Sequence, residues 1–355
     1  MNTKSAFLNG DLKEKIYMKI PPGQNRSEGH IWQLRKALYG LKQVLWEWYT
    51  KVHEVMVGLG YKISVADKCV FTHINANGYL IIVAVYIDDF LFISKSLKFV
   101  ESSKSEMSGH FEMKNLGPAK WILQMELNHD ISNSVIIFSQ SQYIEEILKC
   151  HGMANSWPVK TPMDPNATLP SLAMPEIDVT EYQQCVGSLM HVMVWTHPDI
   201  AHAVGIVLRH AATSRQAHMT AVKRIFCYLW GISDYKLTYR RDKAGELVVY
   251  SDSDWAGDKM DRKSTSGFVA MLNGDLVVWS LKKQASTLLS STEAKFIALT
   301  FVTQKLIWLR GLLSSINHLS RTATPVMEHF EPNIFIFSFI YFSFDFIFLF
   351  LFFFF

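Results

Sequence analysis

The 355-residue chain predicts an α+β fold: an antiparallel sheet with helices, a helical middle, and a second, smaller mixed α/β region. Three observations carry this. The apolar runs KCVFTHI and YLIIVAVY are separated by NANG, whose Asn77-Gly78 pair is a hairpin signal. Between Trp46 and Leu59 the apolar residues recur at helical spacing. From Lys236 onward the texture changes from helical to alternating strands.

In chain order, Trp48, Val52, Val55, Met56 and Leu59 define the buried face of a helix, with Gly60 placed to cap it. The first hairpin follows. A second turns around Asp88 and Asp89, with FLFIS as its return strand, and SKSLKFVESSKSEMSGHF suits an amphipathic helix. VIIFSQSQYIEEILKCHGM predicts a strand entering a helix, started at the SQ pair. These elements make a first region, 1–160. Residues 161–180 are rich in Pro, Ser and Thr without periodicity, and are expected to be a linker. Residues 181–235 are helical in pattern. Over 236–318 the strands KLTYRR, LVVYSDSDW, SGFVAML and DLVVWSLKK precede a helix from about Ser291 to Ser315.

Composition sets wider bounds. The length suits more than one buried core. A net charge of +3 is too small to mark a nucleic-acid binder without local basic patches. Cys69, Cys150, Cys185 and Cys227 follow no metal or disulfide spacing, which favours a reducing, intracellular setting (nucleus or cytoplasm). No basic-then-apolar leader opens the chain, so secretion is unsupported. Residues 333–355, within a Phe-rich tail 319–355, are apolar and long enough to span a bilayer. Translation of a T-rich tract in an unintended frame gives the same mixture. Asp345 near the middle argues for that origin, because burying it in lipid costs about 2.5 to 3.5 kcal/mol.

Asp88 and Asp89 lie inside one of the most apolar stretches, YLIIVAVYIDDFLFIS. Two carboxylates at a hairpin tip repel each other unless a cation sits between them. Mg²⁺, a hard ion that takes oxygen ligands, suits them, and paired Mg²⁺ ions clamp the oxygens of a phosphoryl transfer. A solvated Asp-Asp turn is the structural alternative.

Further segments then narrow the choice: KSAFLNGDLKEKIYMKIPPG, WQLRKALYGLKQ, GYKISVADKCVF, MKNLGPAKWIL, YQQCVGSLMHV, THPDIAHAV and SDSDWAGDKMDRKSTSGFVAMLNGDLVVWSLKKQ. In this order they resemble the Pol polyprotein of copia-type LTR retrotransposons, reverse transcriptase followed by ribonuclease H. The resemblance implies a polymerase palm-like antiparallel sheet and thumb over 1–160, a helical connection, and an incomplete ribonuclease H-like domain over 236–318. It implies that Tyr86-Ile87-Asp88-Asp89 is the metal-holding hairpin. Arg35, Lys36, Tyr39, Lys42 and Gln43 then lie along an RNA/DNA template-primer, cations meeting phosphates and aromatic faces meeting bases. Asp252 matches the first metal-binding acid of ribonuclease H. Glu293 is a candidate for the second, with Lys295 at a position where the family commonly has an acid. Mg²⁺ is the implied cofactor, with no small organic cofactor.

The chain also departs from this pattern. Asn2 stands where the family has the third polymerase aspartate. Leu45 stands for proline, Trp46, His197 and Cys227 for arginine, and Gln124 for glycine. The family's fingers segment precedes Met1, so the nucleotide pocket is expected to be incomplete. The pattern is expected to stop near His318, before a further strand bearing a third ribonuclease H ligand. Asp to Asn, Pro to Leu, and Arg to Trp, Cys or His each follow from one C-to-T or G-to-A transition, which suggests a silenced, decaying copy. A comparison of the locus with close relatives that finds no excess of such transitions refutes that origin.

Overall fold

A computed structural model describes residues 1–20, 31–164, 175, 177–241, 246–317 and 323–328. The apolar tract 333–355 and most of the expected linker lie outside these residues. The described chain divides into two compact units: residues 1–119 with the end of the last helix from Trp308, and residues 120–307 with the segment after Ser320.

The first unit is built on a six-stranded antiparallel sheet. Its chain runs β1 (Asn2–Thr3), a two-stranded ribbon of β2 (Tyr17–Met18) and β3 (Trp32–Gln33), α1 (Val44–Gly58), β4 (Lys62–Ile63), β5 (Val70–Ile74), β6 (Leu80–Tyr86), β7 (Asp89–Ser94), α2 (Leu97–His110) and β8 (Met113–Lys114). The sheet order is β4-β5-β6-β7-β1-β8. Ile81 to Val85 are all buried, so β6 is covered on both faces and its sequence is continuously apolar rather than alternating. One face packs on Trp48, Val52 and Met56 of α1 and Met107 of α2. The Asn77-Gly78 turn forms as predicted, with the Gly78 N–H bonded to the Asn75 carbonyl at 2.9 Å and Gly78 at φ 78°. Ser96 caps α2 by accepting from the Phe99 N–H.

The second unit holds two four-stranded sheets and a helical cluster. β9 (Trp121–Ile122), β10 (Met125–Asp130), β11 (Val135–Ser139) and β12 (Leu237–Arg240) form the sheet β12-β11-β10-β9. The helices α3 (Ser141–Cys150), α4 (Val179–Trp195), α5 (Ala201–Leu208) and α6 (Gln216–Gly231) share a core of Ile144, Tyr182, Leu189, Val204 and Phe226. The second sheet, β15-β14-β13-β16, contains β13 (Leu247–Ser253), β14 (Lys263–Leu272), β15 (Asp275–Thr287) and β16 (Val326–Glu328), with α7 (Ser291–Ser315) between the last two strands in sequence. Among the described residues α7 alone is long and apolar enough to cross a membrane. It carries a buried stripe of Ala294, Ala298, Val302, Leu309 and Leu312, as a core helix does.

Two strand pairings fall across the expected bounds. Leu237–Arg240, expected to open the C-terminal domain, pairs antiparallel with Val135 to Phe138 of β11, far earlier in the chain. A four-residue strand carries no mark of which edge it joins, and the open edge of β11 takes it. Residues 319–355, expected to be an unrelated tail, contain Val326–Glu328, which pairs parallel with Val249–Ser251. TPVME is too short to be identified as a strand by sequence. Its backbone nonetheless satisfies the free edge of β13, with the Val249 N–H bonded to the Pro325 carbonyl.

Candidate active site

The hairpin β6–β7 closes through Ile87 and Asp88, with Tyr86 opposite Asp89. Ile87 is at φ 53°, a left-handed conformation that a β-branched residue rarely adopts. Two bonds hold the turn. The Trp48 indole N–H donates to the Ile87 carbonyl at 2.6 Å, and the Thr3 N–H donates to the Asp88 carbonyl at 2.7 Å. Because β1 lies next to β7, Asn2 is directly opposite Asp89.

The three positions singled out from sequence therefore converge. Asn2 Nδ2 donates to Asp88 Oδ2 at 2.8 Å and to Asp89 Oδ1 at 3.0 Å. Asp88 is half-buried and Asp89 exposed. A pair of Mg²⁺ ions does not fit this donor set: two carboxylates are present instead of three, and the third position turns N–H groups, not an oxygen, toward them.

The basic-aromatic segment precedes α1 as an irregular stretch. Arg35 and Lys42 are exposed. Lys36 is held by Asp11 at 2.7 Å, and its hydrogen bond pulls the Asp11 carboxyl below its ordinary range. Tyr39 is exposed and its ring lies 4.5 Å from that of Phe7. Gln43 Nε2 reaches Glu14 at 3.3 Å.

Asp252 is exposed near the end of β13, and its Oδ1 accepts from the Ser253 N–H at 2.8 Å. Glu293 sits in the first turn of α7, where its carboxylate accepts from the Leu289 N–H at 3.0 Å and its own N–H is capped by Ser290. Glu293 thus serves the helix end, and Lys295 follows it one half-turn on. Among the described residues no group of three or more His, Cys, Asp or Glu side chains is arranged to hold a metal. Sequence reasoning missed Trp48 as a support of the hairpin. It was placed in the core, and nothing in its periodicity marks an indole N–H aimed at a turn.

Residues 1–165 match the family model described as reverse transcriptase (RNA-dependent DNA polymerase). The chain is 36% identical over 325 residues to a retrovirus-related Pol polyprotein from transposon TNT 1-94 of Nicotiana tabacum, covering 89% of this chain and 24% of that protein. It is 31% identical over 330 residues to the Pol polyprotein from transposon RE1 of Arabidopsis thaliana, covering 92% and 22%. It is 30% identical to a putative transposon Ty5-1 protein of Saccharomyces cerevisiae over 301 residues, covering 84% of this chain and 97% of that protein. It thus spans about a quarter of the length of the plant polyproteins. The chain belongs to the copia-type retrotransposon Pol polyproteins and carries their reverse transcriptase region.

Proposed function

We propose that this chain is a remnant of an RNA-directed DNA polymerase with ribonuclease H, a pseudoenzyme whose ancestral reaction was two-metal phosphoryl transfer. The observation that carries the proposal is the Asn2 amide facing Asp88 and Asp89 where a third carboxylate is needed to bridge two cations. Divalent metal is the family's cofactor. Primer extension on an RNA template with Mg²⁺ or Mn²⁺ tests the proposal. No product is expected, and extension abolished by Asp88→Asn overturns it.

For residues 247–328 the ribonuclease H reading is supported by element order. A first strand bears Asp252, a hairpin follows, then a helix with Glu293, and then a strand beside the first. A residual template-primer-binding role is favoured by the exposed Arg35, Tyr39 and Lys42, which need no metal to meet phosphates and bases. Filter binding of an RNA/DNA hybrid tests it: affinity that falls steeply with salt supports the role, and flat, weak retention refutes it.

A further inference from the structure

The Asn2 side chain does more than fail to be an aspartate. Its amide nitrogen carries two N–H donors, and two carboxylate oxygens lie within hydrogen-bond distance of it, at 2.8 and 3.0 Å. The backbone fixes this geometry from both sides, through the direct pairing of Asn2 with Asp89 and the bond from the Thr3 N–H to the Asp88 carbonyl. We propose that the Asn2 carboxamide has taken over the bridging role of a divalent cation, making the hairpin tip a cation-independent hydrogen-bonded node. The inference rests on the reading of this region as a former polymerase centre, and adds what now holds its carboxylates together.

The physical argument is one of competition for the same oxygens. Two adjacent carboxylates need positive potential between them, and N–H dipoles supply it with no ion and no entropy of ion capture. A cation approaching the pair meets the positive end of the amide. Turning the amide over would present its oxygen but give up both hydrogen bonds. An aspartate at position 2 has no donor to offer, so the same backbone with three carboxylates leaves only a cation to neutralise them.

The test uses the full chain and Mn²⁺ alone as probe, with free Mn²⁺ followed by electron paramagnetic resonance and stability by thermal melting. The wild type and Asp88→Asn are expected to bind Mn²⁺ equally, and the wild-type midpoint is expected not to move with Mn²⁺. Asn2→Asp is expected to bind at least about tenfold more tightly, the lower end of what even an outer-sphere partner supplies, with a midpoint that rises as Mn²⁺ is added. Tighter Mn²⁺ binding by the wild type than by Asp88→Asn overturns the inference, and this comparison decides even if Asn2→Asp does not fold. Such binding without primer extension leaves the inactive-polymerase proposal standing, so the two fail separately.

Discussion

The indole Nε1 of Trp48 donates to the Ile87 carbonyl at 2.6 Å, tying α1 to the turn that carries Asp88. The ring is fixed in turn, edge-on to Phe111 at 5.1 Å and to Phe90 at 6.5 Å. Holding Ile87 at positive φ costs about 1 to 2 kcal/mol, so the bond offsets local strain. Trp48→Phe keeps an aromatic ring and removes the donor. It is expected to lower stability by about 1 to 2 kcal/mol and to speed amide exchange at Phe90 more than in the middle of α2. Urea unfolding and hydrogen exchange check it, and equal protection at both places refutes the tie.

The turn between β9 and β10 puts Leu123 at φ 49° and Gln124 at φ 64°, with Ile122 opposite Met125. Both central residues are left-handed, a conformation that favours glycine. Gln124→Gly is expected to stabilise the chain by about 0.5 to 1 kcal/mol, strain relief exceeding the added entropy of the unfolded chain. A lower urea midpoint in the variant refutes it. Gln124→Ala, which keeps the strain, serves as control and is expected to show no gain.

The β6–β7 hairpin was legible because both its strands are adjacent in sequence and strongly apolar, whereas the pairing of Asn2 with Asp89 joins distant parts of the chain and leaves no local mark. Periodicity was enough for α1, and continuous apolar runs joined by the Asn77-Gly78 turn signal were enough for the first hairpin, since burial dictates a repeat of 3.6 or an unbroken apolar strand. What stayed hidden depends on partners far along the chain. Nothing in KLTYRR says that it joins Val135–Ser139, and TPVME is unremarkable until β13 offers it an edge. Residues that the resemblance marks out also fall into physically different places that sequence does not separate. Leu45 and Trp46 are exposed on the first turn of α1, whereas His197 is buried, beside Asp199 at 3.4 Å.

His218 is fully buried in α6, with its ring stacked on His210 at 3.9 Å between centroids. Its Nδ1 accepts from the Arg215 N–H at 3.0 Å, and its Nε2 has no hydrogen-bond partner. Burial, then the neighbouring His210 and Arg215, push its pKa down from 6.5 to about 4. The folded state therefore binds fewer protons than the unfolded one between these values. Stability is full above pH 6.5 and is lost as pH falls toward 4, by at most about 3 kcal/mol at 1.36 kcal/mol per pKa unit. His218→Gln, which keeps an acceptor but cannot titrate, is expected to flatten the pH dependence of the urea midpoint between pH 7 and 5. Parallel profiles for the two proteins refute the assignment.

Asp258 gathers two cations from distant elements: Arg209 Nη1 lies 2.5 Å from its Oδ2, and Lys283 Nζ bonds the same oxygen. The Met260 N–H adds a bond at 2.8 Å. Burial raises the Asp258 pKa, but the Lys283 bond and the backbone N–H groups of Met260 and Asp261 outweigh it and bring it to about 2. Its carboxylate is nearly buried while Arg209 and Lys283 are partly open to solvent, so the cluster lies between the surface and the buried case. Asp258→Asn is expected to cost about 1 to 3 kcal/mol, below the 3 to 5 of a fully buried broken pair. Since the folded pKa is depressed, this contribution holds above pH 3.8 and disappears as pH falls toward 2. Urea unfolding of wild type and variant at pH 7 should differ by that amount, with Asp261→Asn, whose more exposed carboxylate lies 2.9 Å from Lys283 and 3.9 Å from Lys263, costing less. Equal losses in the two variants would mean that Asp258 is not the centre of the cluster.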